Sequence, residues 1–113
     1  MLPRRNRVRV FFNDVELADS SQTLLVDEQD HGLVFYVPFA DVRMDALRRI
    51  EHRTRCPYKG WATHYALSGG DDTPIAWSYE TPYREVARIV EHMAFYQDRV
   101  RLTVGQAPYV GPR

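Results

Sequence analysis

Short segments of alternating polar and apolar residues recur along the chain and are typical of antiparallel β-structure. Residues 7–12 alternate arginine with valine before two phenylalanines, and residues 15–18 resume an alternation after Asn13-Asp14. Successive side chains of a strand point to opposite faces, so this pattern predicts strands with one buried face. Because Asn and Asp tolerate positive φ, the dipeptide between the two segments predicts a tight hairpin turn.

Further strands are predicted at residues 23–26, 33–37, 61–67, 75–79 and 99–104. Pro38 is expected to end the second of these, since proline has no N–H to donate to a strand ladder. The Ser68-Gly69-Gly70 sequence predicts a turn between residues 61–67 and 75–79. A symmetric pairing around this turn places His64 beside Trp77.

Two helices are also predicted. Residues 41–49 are mostly helix formers and predict a short helix. Thr81-Pro82 offers a hydroxyl cap followed by proline at the first helical position, which predicts a longer helix ending near Tyr96 or Gln97. The expected fold class is therefore α+β and predominantly antiparallel β, a small open barrel-like sheet with one short and one longer helix. Residues 1–113 are expected to form a single domain, with an ordered core at about 7–104 and a tail at 105–113.

Composition narrows the cellular setting and the partners. The 113 residues include one cysteine, and 15 basic side chains balance 15 acidic ones. A single cysteine cannot form an internal disulfide, which favours a reduced, cytoplasmic setting. No run approaches the roughly 20 apolar residues of a membrane span, and no secretory signal is recognisable, so no membrane association is expected. A net charge of zero argues against generic nucleic-acid binding, although the basic residues 43–64 could line one anion pocket.

The most unusual local sequence is the hexapeptide from Cys56 to Trp61, which contains the only lysine of the chain, Lys59. A lysine can act as a covalent nucleophile, whereas an arginine stays charged. Cys56 could likewise be a nucleophile beside a basic group, or it could be a buried small hydrophobe. Pro57 and Gly60 predict an irregular loop, where functional residues concentrate. Cys56 and Lys59 are therefore the candidates for catalysis.

Four aromatic residues of the predicted strands could line a cavity with their polar tips facing a ligand: Tyr36, Tyr65, Trp77 and Tyr79. The alternative is that they are ordinary core residues. If they line a cavity, Arg43 and Lys59 are the cations expected to hold an anionic group. The expected ligand is then a small apolar or aromatic molecule, with or without an anionic group.

Neither a metal nor an organic cofactor is expected. The four histidines lack a ligand spacing such as two histidines at i and i+4 of a helix. The chain also lacks a Gly-x-x-x-x-Gly-Lys phosphate loop and a Gly-x-Ser-x-Gly nucleophile elbow.

Several blocks occur in a recognisable order: Arg9-Val10-Phe11-Phe12-Asn13; Tyr36-Val37-Pro38 with Asp41-Val42-Arg43; Cys56-Pro57-Tyr58-Lys59-Gly60 with Ala62 and Tyr65; and Ala76-Trp77-Ser78-Tyr79 with Pro82 and Ala94-Phe95-Tyr96. Together they resemble the domain-of-unknown-function family 427, small bacterial and fungal proteins. The resemblance covers residues 8 to about 103 and implies a compact, strand-rich, barrel-like fold. By position it implies these motif residues: Asp41, Arg43, Cys56, Lys59, Tyr65, Trp77 and Tyr79.

The family is sometimes labelled nucleotidyltransferase-like, a chemistry that needs clustered carboxylates to hold Mg²⁺ ions. Asp71 and Asp72 are adjacent and are predicted in a turn, so the sequence does not support that label.

Three functions therefore stay open. The first is the binding of a small molecule in the aromatic-lined pocket. The second is an enzyme that uses Cys56 or Lys59, and the third is a structural or protein-interaction module in which the motif residues form the core. The oligomeric state also stays open. A homodimer is one alternative, because small barrels with exposed aromatic residues often dimerise.

Overall fold

The computed structural model describes residues 2–28 and 31–106, and within them the chain is mostly antiparallel β-structure. Ten strands follow one another along these residues: β1 (Leu2–Arg4), β2 (Arg7–Phe12), β3 (Val15–Ser20), β4 (Thr23–Glu28), β5 (Gly32–Pro38), β6 (Leu47–Cys56), β7 (Gly60–Leu67), β8 (Ala76–Ser78), β9 (His92–Phe95) and β10 (Arg101–Gly105). Short 3₁₀ helices lie at Phe39–Asp41, Met44–Ala46 and Arg84–Ile89.

The strands form two sheets, and every pairing among the described residues is antiparallel. The large sheet has the order β1-β4-β5-β9-β8-β7-β6, and the small sheet has the order β10-β2-β3. Neither sheet closes into a barrel. The prediction of a predominantly antiparallel, open β-fold is confirmed, and the expected single barrel-like sheet is in fact a pair of sheets.

One face of the large sheet packs against the small sheet around an apolar core. Val8, Val10 and Leu17 of the small sheet lie fully buried against Met93 and Phe95 of the large one. Hydrogen bonding also ties the small sheet to the connection between β5 and β6: the Ser20 hydroxyl donates to Asp41, and Ala18 forms an isolated bridge with Val42. Burial of this kind contributes roughly 25 cal/mol per Å² of apolar surface and holds the sheets together.

The opposite face of the large sheet carries a second cluster of buried residues. Tyr36, Ala94 and Trp77 lie on neighbouring strands of this face, because the register pairs Tyr36 with Ala94 and Trp77 with Ala94. The 3₁₀ helix Arg84–Ile89 covers part of the cluster and buries Ile89 against it. We call this the open face, because no second sheet covers it within the described residues.

The short helix expected at residues 41–49 is wrong. Two single-turn 3₁₀ helices end at Ala46, and β6 starts at Leu47. The reason is strand pairing: β6 supplies the hydrogen-bond partner for β7, and Leu47 pairs with Leu67. A helix there would leave the β7 backbone without that partner.

The longer helix expected from Pro82 to Tyr96 or Gln97 is also wrong. The helical turn ends at Ile89, Glu91 adopts a left-handed φ of 59°, and β9 then enters the sheet between β5 and β8. Residues 93–95 are buried on both sheet faces, so they form a central strand without polar alternation. Val86 and Ile89 therefore belong to one short 3₁₀ segment and not to a long helix.

The remaining strand predictions agree well with the structure. The hairpin turn falls at Asn13, whose φ is 52°, and His64 lies opposite Trp77 in the β7–β8 pairing, as expected. β1 begins before the predicted ordered core, and the predicted tail lies outside the described residues from residue 107 onward. Among the described residues, no helix has the length and apolar character needed to cross a bilayer.

Candidate functional site

A buried ion pair lies on the open face. The Lys59 Nζ atom is 3.3 Å from Glu28 Oε2, and only 8% and 5% of the two side chains are exposed. The Glu28 side chain points into the buried cluster, because the alternation of β4 places Leu24, Val26 and Glu28 on the same buried face. Removing two charges from water costs several kcal/mol per ion, which the attraction and further hydrogen bonds must offset. The pair is therefore a specific polar feature in an otherwise apolar cluster.

Three aromatic side chains extend the ion pair into a hydrogen-bonded network. The Tyr79 hydroxyl donates to Glu28 Oε1 at 3.1 Å, and the Tyr36 hydroxyl donates to Glu28 Oε2 at 2.9 Å. The Trp77 indole N–H in turn donates to the Tyr36 oxygen at 3.1 Å. Both carboxylate oxygens of Glu28 are thus satisfied, as a buried anion requires.

The two tyrosines act as donors because their environment keeps them protonated. Burial raises the pKa of Tyr36 far above its usual value, and the charge of Glu28 raises it further. The same two causes, in the same order, raise the pKa of Tyr79. Each phenol therefore keeps its proton at any physiological pH and offers it to the carboxylate.

The loop that carries Lys59 is held in place by backbone contacts. The Tyr83 N–H donates to the Lys59 carbonyl at 3.0 Å, and the Lys59 N–H donates to the Cys56 carbonyl at 3.3 Å. Gly60 has a φ of +113°, and a Cβ there would lie 3.4 Å from the Thr81 carbonyl oxygen. Glycine is needed at this position because the backbone is left-handed and passes close to its neighbour.

A cleft of about 260 Å³ opens above the network on the open face. Glu28 and Tyr79 form part of its floor, so the network reaches the cleft wall. The remaining wall comes from β6, β7, β8 and the chain before β5 and after β9, and its members are His31, Thr54, Arg55, Cys56, Pro57, Ala62, His64, Trp77 and Tyr96. The cleft therefore lies where the Cys56–Gly60 loop meets the aromatic side chains.

Three rings form one wall of this cleft. The Trp77 and Tyr96 ring centroids are 4.7 Å apart with an edge-on geometry. The exposed His31 ring folds across them, with its centroid 5.0 Å from that of Trp77 and 5.5 Å from that of Tyr96. Such offset and edge-on pairs are favourable arrangements for aromatic rings. The wall is therefore an aromatic surface of rings tilted against one another, and His31 is its exposed member.

His64 lies at the back of the cleft as a neutral imidazole. Its Nε2 is 2.9 Å from the Thr54 hydroxyl and its Nδ1 is 3.1 Å from the Tyr96 hydroxyl. Burial, and to a lesser extent the nearby His52 and Arg99, together lower the pKa of His64 to about 4. The ring is uncharged at neutral pH, so one of its nitrogens donates a hydrogen bond to a neighbouring hydroxyl and the other accepts one.

Cys56 ends β6 and lines the same cleft. Its side chain is partly buried and free of any disulfide. It lies close to the Tyr79 hydroxyl, and that proximity is among the lesser causes that raise the pKa of Tyr79. The thiol therefore faces the region that a bound molecule would occupy.

The fold and this geometry agree with a family-level match. The family model described as "Domain of unknown function (DUF427)" matches residues 1–106. The chain belongs to this family. No curated protein matches the DUF427 chain.

Among the residues that the structure describes, no arrangement of carboxylates matches the nucleotidyltransferase-like label of the family. Asp71 and Asp72 lie in the turn between β7 and β8, where Asp71 accepts a hydrogen bond from the Thr73 N–H and Asp72 pairs with Arg48. No group of three or more His, Cys, Asp or Glu side chains within residues 2–28 and 31–106 is placed to hold a metal ion.

The structure brings together most of the residues singled out from the sequence. Lys59, Tyr36, Trp77 and Tyr79 are members of the hydrogen-bonded network, and Cys56 lines the cleft beside it. The Cys56–Gly60 loop and residues 76–79 therefore meet on the open face.

Three other residues singled out from the sequence lie elsewhere. Tyr65 points to the opposite face of the large sheet, where its hydroxyl is 2.9 Å from Ser78 Oγ. Arg43 is exposed and lies 3.4 Å from Asp45, while Asp41 accepts the hydrogen bond from β3. None of the three lines the cleft.

Sequence reasoning missed Glu28, His31 and Tyr96 as site residues. The predicted strand at residues 23–26 ends before Glu28, although the alternation of Leu24 and Val26 places Glu28 inward once the strand is extended by two residues. Tyr96 was assigned to the end of a helix. Only the predicted pairing of His64 with Trp77 carried a usable signal.

Proposed function

We propose that this DUF427 protein binds a small, planar, largely uncharged molecule in the cleft of the open face. The observation that supports this most is the cleft itself, an opening of about 260 Å³ between the Trp77–Tyr96–His31 wall and a floor of buried, hydrogen-bonded polar groups. Ligand sites combine such apolar walls with a few fixed polar groups.

The ring wall supports a planar ligand. Stacked and edge-on contacts with aromatic rings contribute about 0.5–1.5 kcal/mol beyond the burial of area. His31 is exposed and reaches the wall from the turn before β5, so a flat molecule can lie against its ring or take its place. The cleft volume lies just below the usual range of about 300–1,000 Å³, which favours a single ring system with few substituents.

The distribution of cations supports a ligand without a strong negative charge. Lys59, the cation first expected to hold an anionic group, is engaged by Glu28. Arg55 contributes to the rim of the cleft, but it pairs with Trp61 across the β6–β7 hairpin, and its guanidinium lies 3.5 Å from the Tyr83 hydroxyl. Arg43 lies outside the cleft, so the proposed ligand carries no anionic group.

The polar groups of the cleft favour a ligand that donates hydrogen bonds. The Tyr79 oxygen gives its proton to Glu28 but keeps lone pairs that can accept from a ligand. Both His64 nitrogens are already engaged by hydroxyls, so Thr54 and Tyr96 present the more accessible oxygens. A heteroaromatic ring with N–H groups fits this pattern.

The test uses the emission of Trp77. The chain has two tryptophans, and Trp61→Phe leaves Trp77 as the only one. Heteroaromatic compounds are first ranked by thermal shift, and each hit is titrated against the emission of Trp77. His31→Ala should weaken binding by about 2–10-fold through the loss of one ring contact. His92→Ala is the matched control, because His92 lies outside the cleft lining, and it should leave the affinity unchanged.

Two results would contradict the proposal. One is a hit whose affinity is equally insensitive to His31→Ala and His92→Ala, which would move the site away from the ring wall. The other is the absence of any hit that changes Trp77 emission across a library of ring compounds, which would favour a structural role for the network.

A second candidate function rests on Cys56, whose thiol shares the cleft with the neutral His64. Covalent catalysis would require a thiol that reacts faster than an ordinary cysteine near pH 7. Alkylation by iodoacetamide, compared between wild type and His64→Gln, measures this directly. A rate equal to that of free cysteine in both proteins would exclude a thiolate mechanism.

A further inference from the structure

Strand β6 forms an open edge of the large sheet. It is the last strand in the order, and within the described part of the chain β7 is its only strand partner. All residues from Glu51 to Arg55 are exposed. An unpaired edge presents a row of free N–H and C=O groups that can receive another extended chain.

The outer face of this edge carries two arginines without a carboxylate partner among the described residues. The Arg53 guanidinium lies over the Trp61 ring, 5.3 Å from its centroid, and Arg55 lies 3.5 Å from the Tyr83 hydroxyl. Neither forms an ion pair with residues 2–28 or 31–106, whereas Arg49 on the same strand pairs with Glu80. The strand therefore offers positive charge that the described residues leave uncompensated.

A groove of about 690 Å³ runs along this face and is lined by Arg49, Ile50, Glu51, Arg53, Thr63 and Glu80. The carboxylate of Glu80 already occupies the Arg49 end of the groove. The Arg49–Glu80 pair shows that a carboxylate fits this groove, and we expect the neighbouring Arg53 to bind a carboxylate in the same way. Trp61, 49% exposed, adds an apolar ring beside it.

We propose that the β6 edge binds an extended acidic peptide segment of a partner protein as an added strand. The backbone of the segment pairs with the free edge, and its alternate carboxylates meet Arg53 and Arg55. Main-chain hydrogen bonds supply affinity in this mode, and alternate side chains supply specificity.

The peptide surface adjoins the cleft at Arg55, but its side chains lie mainly on the other face of the hairpin. Arg53, Arg55 and Trp61 share one face of the β6–β7 hairpin, while Thr54, Cys56 and His64 share the other. Loss of peptide binding and loss of ligand binding can therefore be measured independently, and either proposal can fail without the other.

The experiment uses a fluorescein-labelled decapeptide in which glutamate alternates with valine, and it follows fluorescence anisotropy with the full chain. Saturable binding is expected, and the Arg53→Gln/Arg55→Gln variant should weaken it by about tenfold. Arg101→Gln is the matched control, since Arg101 also lies over an aromatic ring, at 4.3 Å from the Phe11 centroid, but on the small sheet. This control should bind as the wild type does.

Backbone pairing is tested with two further peptides, N-methylated at the odd or at the even residues. An added strand uses the amides of one set only, so one peptide should lose binding and the other should keep it. If both bind as the parent does, the contact is only electrostatic and strand addition is wrong. If the parent shows no saturable binding up to about 1 mM, the proposal is overturned.

A single-stranded oligonucleotide serves as the competing ligand, because arginines beside aromatic rings also bind nucleic acids. Tighter binding of a thymidine decamer than of the peptide, lost in Arg53→Gln/Arg55→Gln, would assign this surface to nucleic acid instead. Weaker binding of the decamer supports the peptide.

Discussion

The two faces of the large sheet bury very different groups. The face against the small sheet is filled by aliphatic and aromatic side chains such as Val10, Leu17 and Phe95. The open face buries a carboxylate, an ammonium group and a neutral imidazole among its rings. An apolar face is stabilised by contact area alone, whereas charged groups must be paired to be tolerated there.

This difference is the reason to place the proposed ligand site on the open face. On the apolar face, which joins the sheets, the Tyr65 and Ser78 hydroxyls hydrogen-bond to each other. The open face carries the desolvation cost of Glu28 and Lys59 at the site where a cleft also opens. Perturbed titratable groups in a cleft are typical of functional sites.

The largest expected effect comes from breaking the buried ion pair. Lys59→Met should lower the free energy of unfolding by about 3 kcal/mol, because it leaves the Glu28 charge without its counter-ion. Glu28→Gln/Lys59→Met should cost less than the sum of the two single changes. Arg7→Met, in the exposed pair with Asp19, is the control and should change stability little. Urea unfolding gives all four values, and additive single effects would show that the pair does not act as a unit.

The next effect is a pH dependence that belongs to the open face. The pKa of His64 is lowered to about 4 from 6.5, so the unfolded chain binds a proton that the folded chain does not. The contribution of the neutral His64 to the free energy of unfolding is therefore fully present above about pH 6.5, and it is lost as the pH falls toward 4. Wild type should lose about 2 kcal/mol between pH 7 and pH 5 relative to His64→Gln. Equal slopes for the two proteins over that interval would mean that His64 is not buried as a neutral ring.

The smallest effect compares two tyrosines, one on each face. Tyr79→Phe removes a hydrogen bond to the charged Glu28 and should cost about 2 kcal/mol. Tyr65→Phe removes a neutral hydrogen bond to Ser78 and should cost about 1 kcal/mol. Thermal unfolding of both variants measures the difference. A larger cost for Tyr65→Phe would reverse the contrast between the faces.

The strands of the apolar face could be predicted well from the sequence. Alternation located β2 and β3, and the turn at Asn13 was read from its tolerance of positive φ. These elements are governed by local rules, because each strand exposes one side to water. β9 escaped prediction since a central strand buried on both sides has no alternation.

The site could be predicted only in part, for a similar reason. The sequence singled out Lys59 as the only lysine and Trp77 as an aromatic residue of a predicted strand. It could not show that Glu28 would pair with Lys59 from a strand far away in the chain. It also grouped Tyr65 with the other aromatic residues, although the period of two places Tyr65 and His64 on opposite faces. Long-range pairing decides which rings share a face, and a single sequence does not specify it.

The measurement that tests the ligand cleft most directly is a fragment screen read by ¹H–¹⁵N correlation spectra of the full chain. Planar heteroaromatic fragments should shift the Trp77 indole resonance and the amide signals of residues 54–56 and His64. Signals from Val10 and Leu17, on the apolar face, should stay in place. Shifts confined to the small sheet, or no shift at Trp77 with any fragment, would contradict the account.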